Sequence, residues 1–406
     1  MRRSNPVPDS HADQDGSVNN ASAPRRILPV LVLAQLAGTS TWFAVNAVMP
    51  ELQAAYGWAA ASVGTLTSAM QLGFISGALV FALLSISDRY STRRVFLLCS
   101  IAQALCTVFA MLAAESFVAL CAWRFLTGFF LAGIYPVGMK IAAQWFPRGL
   151  GNALGLLIGA LVIGSALPHA MRGASVGWPW QTVFCGVALI ALSAGLLLYW
   201  LIPEPAHAPA RTQGLQLRAL WAVTGDAKVR ASVFGYFGHM WELYTFWVLM
   251  PTILALRLVD PVAISWSAFV ALGSGALGCV VGGWVATRTG SAPVAGVQLA
   301  ISGLCCLIAP WMLDAPIALF AIWLVVWGIT ISGDSPQFSA LTAQNAPPAL
   351  VGSVLTLTNS VGFAISIVSI QLFVWLAQSY PLSSLIPWLG IGPALGVIAL
   401  LPLLRK

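Results

Sequence analysis

The chain carries the stretch WRFLTGFFLAGIYPVGMKIAAQWFPRGL at residues 123–150 and the stretch WLVVWGITISGDSPQFSALTAQNAPPAL two hundred residues later, at 323–350. Aligned without a gap, the two stretches share Gly, Pro and Gln at matching places. The identical pairs are Trp123 with Trp323, Gly128 with Gly328, Gly133 with Gly333, Pro136 with Pro336, Ala143 with Ala343, Gln144 with Gln344, Pro147 with Pro347 and Leu150 with Leu350. An apolar bias alone does not align such residues, so the chain contains an internal repeat.

The repeat predicts two related halves. We place an N-terminal half at 27–201 and a C-terminal half at 231–406, joined by a cytoplasmic linker at 202–230. Residues 1–26 precede the first apolar run, are rich in Ser, Asn, Asp and Pro, and are predicted to be a disordered cytoplasmic tail.

The composition places the chain in a membrane. Charged residues make up only 8% of the chain and apolar residues 59%, which a soluble domain cannot bury in one core. Apolar runs of about 20 residues, the length that crosses the hydrocarbon region, occur twelve times. We therefore predict an all-α membrane protein with spans near 27–49, 61–84, 94–113, 117–141, 151–172, 180–201, 231–251, 264–286, 293–312, 316–343, 351–376 and 387–404.

The distribution of Lys and Arg predicts the orientation. With the N-terminus inside, all of the 19 Lys and Arg residues except Arg124, Arg172 and Arg257 lie on the cytoplasmic side. We expect a multi-pass protein of the inner, cytoplasmic membrane with both termini in the cytoplasm. The net charge of +7 follows from this topology, so we expect the lipid bilayer rather than nucleic acid as the partner. No nucleotide-binding, zinc or nucleophile motif is present, and we expect neither enzyme activity nor a cofactor.

Two loops carry a recognisable motif. Residues 88–94 read DRYSTRR between spans two and three, and residues 283–290 read GWVATRTG between spans eight and nine. Together they resemble the signature loop of the major facilitator superfamily, and Arg124 with Gly128 and Gly133 resembles that family's pattern in span four. The resemblance implies twelve transmembrane helices in two pseudo-symmetric six-helix halves that work by alternating access.

The resemblance also implies a gate and a central cavity. An acid beside an Arg at a cytoplasmic helix end can meet a neighbouring helix and its basic partner in one gate state only. The gating residues that we predict are Asp88, Arg89, Arg93 and Arg288. In this family spans one, four, seven and ten line the cavity.

Ionisable residues inside predicted spans are the candidates for coupling. Intramembrane charges are expensive and are functional candidates by default. We predict that Glu242, Asp334 and His239 handle protons. Arg124 is predicted to bind an anionic substrate group or to couple to an acid, and a purely structural role for it stays open. The residues that we predict to bind substrate combine aromatic, amide and basic groups: Trp42, Asn46, Arg124, Tyr135, Trp241, Tyr244, Gln337 and Asn359.

These features favour a monomeric, proton-coupled secondary transporter of a small organic molecule. Gly155, Gly159, Gly164 and Pro168 in span five resemble loosely an antiporter motif and favour export. One alternative is an uptake symporter or uniporter for a small anion. A third reading, from another class, is a non-transporting membrane sensor or a lipid-modifying enzyme on the same fold.

Overall fold

The computed structural model describes residues 24–146, 150–175, 177–204 and 214–405, and every regular element in them is helical. Most of the predicted tail and residues 205–213 of the predicted linker lie outside the described residues. Up to residue 201 the helices are α1 (Ile27–Thr39), α2 (Ala44–Ala47), α3 (Met49–Tyr56), α4 (Ser62–Leu83), α5 (Ile86–Arg89), α6 (Thr92–Leu112), α7 (Phe117–Leu131), α8 (Tyr135–Trp145), α9 (Leu150–Ala174) and α10 (Gln181–Leu201).

From residue 219, within the predicted linker, the chain again forms helices. These are α11 (Ala219–Gly225), α12 (Ala227–Ala255), α13 (Pro261–Gly273), α14 (Gly275–Thr289), α15 (Ser291–Leu307), α16 (Ala309–Leu313), α17 (Ile317–Gly333), α18 (Ser335–Asn345), α19 (Val351–Leu376), α20 (Leu382–Leu389) and α21 (Ile391–Leu404).

The helices agree with the predicted spans. Within the described residues, nine helical segments are long and apolar enough to cross a membrane. They coincide with nine of the predicted spans, and the other three predicted spans coincide with α1 to α3, with α12, and with α15 and α16. Large apolar side chains such as Leu98, Trp200 and Trp375 are exposed on the outside of the bundle, as a lipid-facing surface requires. The protein is an all-α, multi-pass membrane protein.

Several predicted spans are interrupted helices. Span four divides into α7 and α8, and span ten divides into α17 and α18 at Asp334. Pro136 and Pro336 lie in the first turns of α8 and α18, where a proline removes no helical hydrogen bond. The matched prolines of the repeat therefore lie beside a helix joint at equivalent positions in the two halves.

The repeat also has a counterpart in packing. A Cβ atom at Gly128 would lie 1.9 Å from the carbonyl oxygen of Met70, and a Cβ atom at Gly328 would lie 1.9 Å from that of Ala271. Only a residue without a side chain permits two helix backbones to approach this closely. The contact of α4 with α7 is thus repeated by the contact of α13 and α14 with α17.

Two sets of helix contacts join the predicted halves. The first is α9 packed along α13 and α14, and the second is α19 packed against α4. The second contact includes a hydrogen bond from Ser366 Oγ to Gln71 Oε1 at 3.2 Å and one from Gln371 Nε2 to Ser68 Oγ at 2.8 Å. Between these two contacts lies the central region of the bundle.

We expect Gly128→Ala and Gly328→Ala each to destabilise the protein by about 1–3 kcal/mol, because the added methyl group overlaps a backbone carbonyl that cannot move freely. Thermal unfolding of the purified protein in detergent measures this effect. Gly352→Ala is the control, since an added Cβ there meets no atom within 4 Å. Equal unfolding temperatures for the three variants would contradict the packing account.

Candidate functional site

A cavity lies in the central region, where helices of both halves meet. The centres of water-sized spheres can occupy about 40 Å³ of this cavity, and the space within it and at its mouth, open solvent included, is about 610 Å³. Its wall is mostly aromatic and aliphatic, with hydroxyl groups and one amide: Tyr135, Ile158, Leu161, Val162, Ser165, Tyr236, Met240, Leu243, Tyr244, Trp247, Ser332, Ser335, Ser339, Asn359 and Phe363. Among the described residues, no Lys, Arg, His, Asp or Glu lines this wall. The composition is that of a site for a small organic ligand.

Six aromatic rings at the cavity, three from each half, form what we call the aromatic cluster: Trp42, Phe43, Phe74, Tyr244, Trp247 and Phe363. The ring of Trp42 stacks on those of Tyr244 and Phe363, with centroids 5.7 and 5.6 Å apart. Phe43 lies 5.0 Å from Trp247 between ring centroids. Such pairs add stabilisation beyond the area that they bury, so the cluster holds the two halves together beside the cavity.

Asp334 and His239 form a buried pair behind the cavity wall. Asp334 lies at the joint between α17 and α18, and both side chains are fully buried. His239 Nδ1 lies 2.8 Å from Asp334 Oδ1, which is ion-pair distance when the imidazole is protonated. Within the described part of the chain, neither oxygen of Asp334 and neither nitrogen of His239 has a hydrogen-bond partner of regular geometry. The cavity-lining Ser335 follows Asp334 directly in the chain.

Glu242 has a different environment from Asp334. It is also fully buried, but it does not line the cavity, and three groups donate to its carboxylate. Ser302 Oγ donates to Oε2 at 2.9 Å, while Cys306 Sγ and Trp327 Nε1 donate to Oε1 at 3.0 and 2.6 Å. Glu242 thereby ties α12 to α15 and α17, and its hydrogen-bonding capacity is largely used.

Arg124 stabilises an irregular stretch of predicted span one. Between α1 and α2 the chain leaves the helix, so that backbone carbonyls there need other donors. Arg124 Nη1 donates to the carbonyl of Thr41 at 2.9 Å, and Nη2 donates to the carbonyl of Trp42. The guanidinium is buried behind the aromatic cluster and does not line the cavity.

Comparison with known proteins identifies the family. The sequence profile of the Major Facilitator Superfamily matches residues 31–370 of the chain. The chain therefore belongs to the Major Facilitator Superfamily. The family and its transporter relatives make it a secondary transporter and not an enzyme. Among solved structures, the human organic anion transporter MFSD10 (TETRAN) has the same fold, with a TM-score of 0.73, 15% identity and coverage of 93% of this chain and 99% of that one.

Three curated transporters are similar in sequence to this superfamily member. The 3-(3-hydroxy-phenyl)propionate transporter of Escherichia coli is 32% identical over 39% of this chain and 40% of its own length. The chloramphenicol resistance protein of Streptomyces lividans is 28% identical over 84% of this chain and 86% of its own. The gallate transporter of Pseudomonas putida is 25% identical over 74% of this chain and 72% of its own.

The superfamily loop residues lie at helix ends, away from the cavity. Lys140 Nζ contacts Asp88 Oδ1 and donates to the carbonyl of Ser87 at 2.6 Å, which links α5 to α8. The remaining predicted gating residues are Arg93, which pairs with Glu204 at 2.9 Å, Arg288, which lies over the ring of Trp284, and Arg89, which is exposed at the end of α5.

The structure brings some of the predicted substrate residues to the cavity and leaves others outside it. Tyr135, Tyr244 and Asn359 line the wall. The others do not: Trp42 lies in the aromatic cluster, Asn46 donates to Thr67 Oγ1 at 3.0 Å, Trp241 packs edge-on against Phe373, Gln337 is buried, and Arg124 binds backbone carbonyls.

Several wall residues were missed from sequence. Ser165, Ser332, Ser335 and Ser339 are small polar residues in apolar spans, a weak signal that was available. Tyr236 and Trp247 lie on the same helix as Tyr244, at intervals of eight and three residues, so a helical face through Tyr244 could have found them.

We expect Glu242→Gln to destabilise the protein by about 1–3 kcal/mol, because an amide offers one acceptor oxygen where three donors now converge. Asp334→Asn is the matched comparison, and we expect it to leave stability unchanged or to raise it, since it removes a charge that only His239 balances. Thermal unfolding of both variants in detergent checks this. A larger loss for Asp334→Asn than for Glu242→Gln would contradict the assignment.

Proposed function

We propose that the protein carries small aromatic molecules across the cytoplasmic membrane by alternating access and couples this movement to protons through Asp334 and His239. The observation that carries the proposal is the buried Asp334–His239 pair directly behind the wall of the aromatic cavity. A carboxylate and an imidazole at this distance can share a proton and release it when the surroundings change.

The contacts favour Asp334 over Glu242 as the proton carrier. The carboxylate of Glu242 accepts hydrogen bonds from Ser302, Cys306 and Trp327, so protonating it would disrupt this hydrogen-bond network. Among the described residues, the one side chain paired with Asp334 is His239, and Asp334 lies at a helix joint whose geometry can change as α18 moves relative to α17. We assign Glu242 a structural role, in which its hydrogen bonds hold α12 against α15 and α17.

The cavity wall supports an aromatic substrate. The rings of Tyr135, Tyr236, Tyr244 and Phe363 offer stacking surfaces, and the serine hydroxyls with Asn359 offer hydrogen bonds. The names of the three relatives support the same class, since hydroxyphenylpropionate, chloramphenicol and gallate all contain a benzene ring. Stacking on the wall and hydrogen bonding at its polar groups would together select such a molecule.

Two sets of contacts are suited to gate the cavity. The aromatic cluster closes the space between the halves on one side, with Trp42 and Phe43 against Tyr244 and Trp247. At the helix ends, the contact of Asp88 with Lys140 holds α5 against α8. We propose that these contacts form and break as the halves move, with both chain termini in the cytoplasm.

The alternative of an anion porter receives less support from the structure, because Arg124 binds backbone carbonyls outside the cavity. Export, which the motif in span five favours, stays a prediction from sequence.

Flux measurements in proteoliposomes test the coupling. We expect a pH gradient to stimulate flux of at least one of chloramphenicol, gallate and 3-(3-hydroxyphenyl)propionate, and we expect Asp334→Asn to abolish that stimulation. Glu242→Gln should retain it in correctly folded protein. Protein-free liposomes control for leakage. Gradient-stimulated flux that survives Asp334→Asn would contradict the proton assignment, and no flux of any of the three would contradict the substrate class.

The helix-end contact gives a separate expectation. Asp88→Asn removes the charge that meets Lys140 but keeps the size of the side chain, so we expect slower transport with unchanged membrane insertion. Lys140→Gln should reproduce the defect. Arg288→Gln is the control: it removes a loop charge but leaves the contact of Asp88 with Lys140 intact, and it shows whether the loss of any loop charge slows transport. Wild-type kinetics for Asp88→Asn would count against a gating role.

A further inference from the structure

We infer that the cavity binds its aromatic ligand in an uncharged form, through hydrogen bonds from Ser165 and Trp247, and that it discriminates against carboxylates. The inference rests on the proposed function and makes its substrate class more specific. It depends on two features of the wall: polar groups without partners and the absence of a cation among its described residues.

Three buried polar groups of the wall have no hydrogen-bond partner in the described part of the chain: Ser332 Oγ, and the side-chain groups of Ser165 and Trp247. Ser165 and Trp247 both line the cavity, and the two residues are 1% and 3% exposed. Ser165 Oγ and Trp247 Nε1 have no hydrogen-bond partner in the described part of the chain. A buried polar group without a partner is costly, so a bound ligand that supplies one is favoured. The indole N–H can only donate, so the ligand must present an acceptor to it.

The two groups come from opposite halves of the bundle. Ser165 lies on α9 and Trp247 on α12. A ligand held by both would therefore bridge the halves. The rings of Tyr244 and Phe363, which also line the cavity, lie 5.2 Å apart between centroids and provide the adjacent aromatic surface.

The charges around the cavity argue against an anion. The guanidinium of Arg124 is bound to the carbonyls of Thr41 and Trp42, and the Trp42 ring stacks on Tyr244, which itself lines the cavity. His239, which does not line the cavity, is already paired with an acid, Asp334. A carboxylate taken from water into this cavity would lose its hydration without gaining a cationic partner.

Binding of matched ligand pairs to the purified full-length protein tests the inference. The probes are 3-(3-hydroxyphenyl)propionate with its methyl ester, gallate with methyl gallate, and chloramphenicol, which is uncharged. At neutral pH we expect each ester to bind at least about tenfold more tightly than its acid in isothermal titration calorimetry, because only the acid carries a charge. Acids that bind as tightly as their esters, or more tightly, would overturn the inference. The proposal of an aromatic substrate would then still hold.

Variants test the two donors. We expect Ser165→Ala and Trp247→Phe each to weaken binding of methyl gallate about three- to tenfold, as for the loss of one neutral hydrogen bond. The matched controls are Ser100→Ala and Trp145→Phe, which remove equally unpartnered groups that do not line the cavity. Equal effects of the test variants and the controls would overturn the assignment of the donors. If none of the probes binds the wild-type protein, the proposed aromatic substrate class fails, and the inference fails with it.

Discussion

A charge inside hydrocarbon must have a partner, and this constraint organises the centre of the protein. The described bundle meets it in three ways. Arg124 is neutralised by the dipoles of two backbone carbonyls, Glu242 by three side-chain donors, and Asp334 by a single imidazole. In the first two arrangements, two or three hydrogen bonds to the charged group join neighbouring helices. In the third, the two side chains contact each other, but among the described residues none of their polar atoms has a hydrogen bond of regular geometry, which is why we propose that this pair binds and releases a proton.

The internal repeat explains how these sites arose on one scaffold. In the first half, predicted span one leaves the helix near Thr41, and the exposed carbonyls are bound by Arg124 from span four. In the second half, α12 stays helical. Pairing Met49-Pro50 with Met250-Pro251, a shift of one residue from the repeat at 123–150, places Glu242 opposite Thr41. There the acid side chain accepts from Trp327 on span ten. In the first half, span four donates a hydrogen bond to span one, and in the second half, span ten donates one to span seven. Equivalent helices are thus joined in both halves.

The sequence was sufficient for the scaffold and for the buried charges. The spacing of apolar runs predicted the helices, because the thickness of the hydrocarbon region determines the length of a span. The joints after α7 and α17 were not predicted, although the matched prolines lie beside them. The intramembrane charges were also recognisable from the sequence, because few ionisable residues occur in membrane spans. Arg124, Glu242 and Asp334 are indeed fully buried.

The partners of these charges and the cavity wall could not be predicted in the same way. Both depend on the rotation of each helix about its axis, which packing against neighbours determines. Trp241 and Tyr244 lie three residues apart on α12, yet only Tyr244 lines the cavity. Glu242 lies three residues from His239 on α12, but its donors come from α15 and α17, which are distant in the chain. Because serines are common in apolar spans, the sequence does not indicate which of them line the cavity. Only the packed structure does.

The central claim is that ligand in the cavity and a proton on the Asp334–His239 pair are coupled. Calorimetric titration of methyl gallate in two buffers of different ionisation enthalpy measures the protons that are released or taken up on binding. The account predicts a buffer-dependent binding enthalpy for the wild-type protein and for Glu242→Gln, and a buffer-independent enthalpy for Asp334→Asn. A buffer dependence that persists in Asp334→Asn, or that disappears in Glu242→Gln while binding remains, would contradict it.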